Sequence, residues 1–405
     1  MRQTCFYLLA ALGLIVTELP AAAQSPMTES EFLAALREDH PAFIAATEGL
    51  AIAEGARRAA GRLENPRVGA DWELPEDATR QSTWSLAWTP PLDGRRGLRV
   101  RASEAALGAA RANVELAQLE TRIACRAIFA EWALAAERRV MTASHLERVR
   151  ALVARMSARA ESGEESGLSA RRVELAAIEI EAMLALADAA EASARTRAAA
   201  WNPDAANSAP ERPSLPEILP SLDASANTGI RALELDLEAA AYDARLSRRF
   251  LSAPDLMAGW QRQQADDAPT FEGPVFGVSW PLPLFDRQSG ERAMTARRLE
   301  SSTARLAFLR TQSAARIDAA RAAYDRLREG ASTALTASDD TQRLVESASA
   351  SFALGESSLT DLLDTLRSVL TTRLTALDLY GAALEAHREL EAAAGRTLTT
   401  IGGGK

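Results

Sequence analysis

The sequence is poor in the residues that do chemistry. It holds 2 cysteines, at positions 5 and 125, and 3 histidines, at 40, 145 and 387. The histidines are scattered, and no His/Cys/carboxylate cluster has metal-ligand spacing. No HExxH, GxSxG, Walker A or GxGxxG pattern occurs, so an enzyme reading has no residues to rest on and no cofactor is expected. Aromatics make up only 5 % of the chain. The net charge is −9 and no basic block interrupts the sequence, which argues against nucleic acid as a partner. After residue 24 no run of about 18 apolar residues exists, which excludes a transmembrane helix. If the mature chain meets a bilayer, it must do so through strands.

The N-terminus has its own signature. Arg2 precedes an apolar run from Phe6 to Val16, followed by Pro20-Ala21-Ala22-Ala23-Gln24. This order is that of a secretory signal peptide, expected to span 1–23 with cleavage after Ala23. No cysteine follows the expected cut, so no lipid attachment site is read there. The mature chain would keep one thiol, Cys125, and no intrachain disulfide. Cys125 reads as a small buried hydrophobe.

What the chain does contain, it contains twice. Pro66-Arg67-Val68-Gly69-Ala70-Asp71-Trp72, a polar break and Trp84-Ser85-Leu86-Ala87-Trp88 form one unit. About 190 residues later, Pro254 and Trp260, a polar break and Phe276-Gly277-Val278-Ser279-Trp280 repeat the plan. Each copy leads into a long Ala/Arg/Glu/Leu-rich stretch that breaks at a short turn. The turns are Gly163-Glu164-Glu165-Ser166-Gly167 and Gly355-Glu356-Ser357-Ser358.

Periodicity assigns the elements. A short helix over Thr28–Glu38 and a second from Pro41 to about Leu63 precede strands at 66–74 and 82–90, which alternate apolar and polar residues. Long helices follow at 95–160 and 168–201, with Leu146, Val149, Val153 and Met156 on a coiled-coil seam. Residues 24–201 form the first repeat, and the Pro/Ser/Asn-rich stretch 202–227 reads as a linker. The second repeat, 228–396, opens with a helix from Thr228 to about Leu251. It continues with strands at 255–263 and 274–282 and long helices at 287–353 and 359–395, whose seam runs through Ile317, Ala320, Tyr324, Leu327, Ala331 and Ala334. The tail, 397–405, reads as flexible. The fold class is therefore mainly α with a small β part: a duplicated β-hairpin plus long antiparallel coiled-coil helices. Each long helix would be about 100 Å, and its partner about 50 Å, so that shorter helices can stack end to end beside it.

Neither half can bury its own hairpin. Transmembrane barrels need about eight strands or more, because open edges are not tolerated in lipid. Four strands per chain imply shared closure. Three chains would supply twelve strands and twelve helix columns; two would give a narrow barrel filled by side chains. The trimer is the favoured count.

Several stretches resemble the TolC-like outer-membrane efflux protein family over essentially the whole mature length. Glu64-Asn65-Pro66-Arg67-Val68 enters the first hairpin. Trp280-Pro281-Leu282-Pro283-Leu284-Phe285-Asp286-Arg287 leaves the second. Leu354-Gly355-Glu356-Ser357-Ser358-Leu359-Thr360-Asp361 forms the distal turn. The Pro-Leu-Pro-Leu-Phe-Asp-Arg run is more similar to the CzcC-type cation-efflux branch than to the drug-efflux branch. The resemblance implies a homotrimer with a 12-stranded β-barrel in the outer-membrane lipid of a Gram-negative bacterium, continued by a 12-helix α-barrel in the periplasm. It also implies a passive conduit, opened by a periplasmic adaptor and fed by an inner-membrane pump of the resistance-nodulation-division type. Heavy-metal cations are the expected cargo, with drugs as the other class.

The resemblance carries residue roles. Asp361 and Asp364 match the family's paired aspartates at the periplasmic aperture. Their spacing puts both on one helix face near its N-terminus, which equally suits a solvated charge pair. The first repeat departs from this pattern with Arg171 and Arg172, which would latch the closed state if either faced those aspartates. Gly163, Gly167, Leu168, Gly355, Glu356, Ser357 and Leu359 form the turn tips that dock the adaptor in the family, although helix-turn-helix chemistry explains the glycines as well. Trp72, Trp84, Trp88, Trp260 and Trp280 read as an interfacial aromatic girdle, with core packing as the alternative. The competing class is a periplasmic coiled-coil adaptor or structural protein, which would have one helical hairpin flanked by β-rich domains.

Overall fold

The computed structural model describes residues 25–36, 41–73, 80–217, 227–249, 253–264, 269–281, 285 and 287–398. The expected signal peptide lies outside these residues. So do 218–226 of the expected linker, the tail from 399, and Leu282, Pro283, Leu284 and Asp286 of the run after the second hairpin.

Four helices and two strands make the first half: α1 (Glu29–Ala34), α2 (Pro41–Ala60), β1 (Arg67–Glu73), β2 (Arg80–Trp88), α3 (Arg95–Glu161) and α4 (Gly167–Trp201). The second half repeats the order as α5 (Thr228–Ser247), β3 (Asp255–Gln264), β4 (Phe271–Ser279), α6 (Ser289–Ala353) and α7 (Leu359–Ala394). Thr28 caps α1 through a capping box with Glu31. A short 3-10 turn at Pro203–Ala206 follows α4, where Asn202 accepts the amide of Asp204 and stops the helix.

β4 begins earlier than the expected 274 and ends at Ser279, so Trp280 lies just past the strand. The reading from sequence placed this strand at 274–282. Here Pro274 stands inside β4, opposite Trp260. Pro274 has no amide to donate, so it leaves one position of β4 without a ladder hydrogen bond.

The two hairpins join into one antiparallel sheet in the order β1-β2-β3-β4. The register puts Val68, Leu86, Ala258 and Phe276 in one row, and Ala70, Trp84, Trp260 and Pro274 in the next. This face is apolar over those rows, and toward the hairpin tips it turns polar, with Ser82 beside Trp72 and Arg262 paired to Glu272 at 3.1 Å. The other carries Thr83, Ser85, Gly259, Gln261 and Gln263, and this polar face is the more enclosed. Along β3 the polar-face residues are half-buried while Leu256 and Trp260 are exposed. That is the pattern of a sheet curled with its apolar side outward.

The long helices pack by their seams. α3 lies against α2 and α5 toward the sheet and against α4 toward the far end; α6 packs on α5 and α7 in the same manner. The distal core draws on all four distal helices, with Leu146, Val149, Leu152 and Met156 of α3, Val173 and Ile180 of α4, Val345 of α6, and Leu362, Leu366 and Val369 of α7. Midway along the rod, Phe32 of α1 packs on Phe129 with ring centroids 5.2 Å apart, beside buried Cys125 and Trp132. Burial first, and the nearby Glu29 carboxylate second, push the Cys125 thiol up to about 12, so it stays a neutral hydrophobe at physiological pH.

A buried ion cluster ties this midsection together. Arg126 of α3 donates to Glu29 of α1 at 2.7 Å and to Glu391 of α7 at 2.5 Å. Glu391 is fully buried and also accepts the backbone amide of Leu398 at 2.9 Å. Tyr324 and Tyr380 donate to the carbonyls of Pro216 and Pro213, pinning the segment between the halves.

Among the described residues no helix is long and apolar enough to cross a membrane.

Candidate functional site

The two ends of the rod carry the sequence-predicted residues. At the distal end the turns are near copies. Gly163 and Gly355 have φ of 78° and 77°, which costs an L-residue but not glycine. The amide of Glu164 donates to the Arg159 carbonyl at 2.9 Å, and that of Glu356 to the Ser351 carbonyl at 2.9 Å. Both are Schellman closures. Ser166 then caps α4 by accepting the Ser169 amide, and Ser358 caps α7 by accepting the Asp361 amide, each at 3.2 Å. Gly167 has no left-handed φ and open space where a Cβ would stand, so neither turn geometry nor packing requires glycine there. Leu168, Leu354 and Glu356 are exposed at the tips, while Ser357 and Leu359 are half-buried.

Asp361 is committed to the capping box. Its carboxylate accepts the Ser358 hydroxyl at 2.6 Å and the Ser358 amide at 3.1 Å. These two hydrogen bonds, hydroxyl first, hold its pKa below the usual carboxylate value. Asp364, one helical turn on, is exposed. It lines a hollow of about 600 Å³ between α4 and α7, together with Arg172, Glu179, Arg367 and the buried His145. Arg171 is turned to Glu174 at 2.7 Å, and Arg367 reaches across from α7 to Glu179 of α4 at 2.8 Å. Within one chain, neither Arg171 nor Arg172 forms an ion pair with Asp361 or Asp364 among the described residues. The cross-repeat tie at this level is Arg367–Glu179, which the sequence reading missed. Nothing in the sequence marks it, because its partners lie 188 positions apart. Burial, then Arg148 and Arg373, lower the His145 pKa to about 4, so the imidazole is neutral.

At the sheet end, Trp72, Trp84, Trp260 and Trp280 are all more than half exposed, and Trp88 is 37 % exposed. Trp72 and Trp84 meet edge to face at 5.7 Å, and Trp88 Nε1 donates to the Glu64 carbonyl at 3.2 Å. On the polar face Arg67 pairs with Asp255 at 2.9 Å, and Thr89 donates to the same carboxylate. No group of three or more His, Cys, Asp and Glu side chains among the described residues is placed to hold a metal ion.

Residues 219–396 match the model of the outer membrane efflux protein family. That match spans the second repeat. The whole chain extends the match. It is 26 % identical over 404 residues to the cobalt-zinc-cadmium resistance protein CzcC of Cupriavidus metallidurans, covering 94 % of this chain and 93 % of that protein. Two solved structures share the fold. The outer membrane protein VceC of Vibrio cholerae superposes with a TM-score of 0.73 at 18 % identity, covering 92 % of this chain and 97 % of that one. CusC, whose structures describe transmembrane channel formation, gives a TM-score of 0.72 at 15 % identity, covering 91 % of each. The chain is thus similar to outer membrane efflux proteins in its second repeat, and shares with VceC and CusC the fold of a small sheet at one end of long helices.

Proposed function

We propose that three copies of this chain close into one outer-membrane conduit that exports heavy-metal cations handed over by a periplasmic adaptor and an inner-membrane pump of the resistance-nodulation-division type. One observation carries the reading. The sheet is apolar on its outer face over the rows nearer the helices, polar on its enclosed face, and ends in two unpaired edges, β1 and β4. A four-stranded sheet with open edges cannot stand in lipid alone. Pairing β4 of one copy with β1 of the next closes twelve strands, and the same rotation closes twelve helix columns.

The tryptophans suit two interfacial levels. Trp72 pairs in register with Ser82, six residues along β2 from Trp88, a rise of about 20 Å along the strand. An outer-membrane apolar band is about 25 Å tall. At the far end, threefold symmetry would gather Asp364 and Arg172 around the aperture, while Asp361 serves chiefly as a helix cap. The Gly163 and Gly355 turns, with exposed Leu168 and Glu356, would receive the adaptor. Similarity to CzcC favours cobalt, zinc and cadmium ions as cargo.

The test is the native mass of detergent-extracted membrane protein, followed by metal challenge of a deletion strain. A trimer from the outer membrane, and restored tolerance to Co²⁺, Zn²⁺ and Cd²⁺ on complementation, are the expected results. A water-soluble monomer would return the chain to the periplasmic coiled-coil class. Restored tolerance to antibiotics alone would move the cargo to drugs.

A further inference from the structure

The chain carries an excess of negative charge, yet one level of it is strongly positive. Four separate segments, 55–62, 95–101, 245–249 and 287–298, hold fourteen arginines and a single carboxylate, Glu291. They are the C-terminal ends of α2 and α5 and the N-terminal ends of α3 and α6, the four points where helices meet the sheet. Contacts show that they form one belt. Arg96 donates to the Gly61 carbonyl at 2.9 Å, Arg249 to the Asp93 carbonyl at 2.7 Å, and Arg57 pairs with Glu104 at 2.5 Å. The opposite end of the rod has no such excess: the first turn has Arg159 facing Glu164 and Glu165.

Local helix chemistry does not account for this belt. Arginines suit the C-terminal ends of α2 and α5, where the helix dipole is negative. At the N-terminal ends of α3 and α6 they oppose it. α3 has no acidic residue in its first turn, and neither helix has a side-chain cap. Ion pairing accounts for only part of it: Arg57, Arg95, Arg297 and Arg298 meet Glu104, Asp93, Glu300 and Asp243. Arg58, Arg62, Arg96, Arg99, Arg248 and Arg249 are exposed, and none has a carboxylate within 4.0 Å among the described residues.

The belt adjoins the lipid-suited surface. Leu63, Leu92, Trp280 and Phe285, all more than half exposed, stand at the same junction. Between two of the belt segments lies a hollow of about 380 Å³, lined by Arg57, Arg96, Gly61, Gly94, Gly97 and Val100. It offers the exposed Arg96 guanidinium beside Arg57, which also pairs with Glu104, at a helix start where Asp93 accepts the Arg95 amide at 3.0 Å. A Cβ at Gly97 would meet nothing within 4 Å, so the space is open. Guanidinium forks bind phosphate oxygens in pairs. Every cation of the chain except Lys405 is an arginine.

We propose that this belt binds the phosphates of anionic phospholipid headgroups in the periplasm-facing leaflet of the membrane, with the hollow at the start of α3 seating one of them. The inference rests on the reading of the sheet as membrane-inserted. Basic residues at that depth draw anionic lipid, and their aliphatic stems lie along apolar surface while the heads reach the phosphates.

The experiment uses the full-length protein extracted from membranes, placed in nanodiscs of phosphatidylethanolamine with a minor fraction of phosphatidylglycerol. Native mass spectrometry then reads the headgroups that stay bound. Phosphatidylglycerol is expected several-fold above its bulk fraction. Arg58→Gln, Arg62→Gln, Arg96→Gln and Arg99→Gln together should return it to the bulk fraction. The four lysine replacements should keep most of the enrichment, and Arg316→Gln with Arg326→Gln, about 27 Å or more along α6 from the belt, should change nothing. Unaltered enrichment in the glutamine variant would overturn the belt. So would inorganic phosphate displacing the lipid at millimolar concentration, which would make the site one for a soluble anion. A changed ion selectivity of the pore with unchanged lipid content would place the arginines in the lumen and also overturn it. Failure to recover any membrane species would instead overturn the channel reading beneath it.

Discussion

Arg172 and Asp364 occupy equivalent positions of the two repeats, each nine residues beyond the left-handed glycine of its turn, and they line one hollow with opposite charge. The duplication has therefore placed a cation on α4 where α7 has an anion. Within a chain they form no ion pair. Around a threefold axis each would face copies of the other.

If that apposition holds the aperture shut, Asp364→Arg should raise single-channel conductance in planar bilayers and sensitise cells to large antibiotics. The double reversal Arg172→Asp with Asp364→Arg should restore the closed state. Wild-type conductance in the single variant would remove Asp364 from the gate. Asp361→Ala should behave differently, lowering the thermal midpoint through loss of the capping box without raising conductance.

Gly163 and Gly355 should resist substitution where Gly167 does not. An alanine forced to a left-handed φ costs roughly 1–2 kcal/mol, so Gly163→Ala and Gly355→Ala should each lower the thermal midpoint. Gly167→Ala should leave it unchanged or raise it slightly. Melting followed by circular dichroism separates these outcomes.

The midsection ion cluster should be unforgiving. Glu391→Ala leaves Arg126 buried beside an empty site, and breaking a buried pair costs about 3–5 kcal/mol. Loss of folded protein on expression is expected. Replacing both partners, as Arg126→Met with Glu391→Leu, should be milder. Equal damage in both variants would show that packing, rather than charge, dominates there.

Acid should loosen the rod through two histidines. His387 is held near a pKa of about 4 by burial first and then by Arg126, with Glu29 opposing and Arg388 adding the least. His145 is held near about 4 by burial, Arg148 and Arg373. Their folded pKa values lie below the unfolded value of about 6.5, so the unfolded chain binds more protons between these limits. Stability is therefore full above pH 6.5 and falls as pH drops toward 4, by on the order of 3 kcal/mol for each histidine. Denaturant midpoints at pH 7.5 and 5 measure the difference, and His387→Phe with His145→Leu should flatten it.

Brominated lipid should quench most tryptophan emission. Five of the 7 tryptophans lie on or beside the sheet, while Trp132 is fully buried among helices and Trp201 ends α4. Unquenched emission from reconstituted protein would mean that the sheet does not meet the acyl chains.

The architecture was legible in sequence wherever it depends on short-range periodicity. Alternation at Val68–Trp72 and Trp84–Trp88 forces strands with one apolar face, and the 3-4-3 seam at Leu146–Met156 forces a helix that must pack along one stripe. Glycines at 163 and 355 mark turns because only glycine takes that φ without strain. The ends of β4 were less legible: it runs Phe271–Ser279 where 274–282 was expected, because pairing with β3, and not local alternation, sets where the strand starts and stops.

Tertiary structure alone decided what depends on residues far apart in the chain. The Arg367–Glu179 tie and the Arg126–Glu29–Glu391 cluster join positions that no local pattern relates. The arginine belt is the clearest case. The sequence contains no basic block, because the fourteen arginines come in four short groups separated by strands and long helices. Charge acts through space over several ångströms to about a Debye length. The fold collects these groups into one belt by returning the chain to the same level four times.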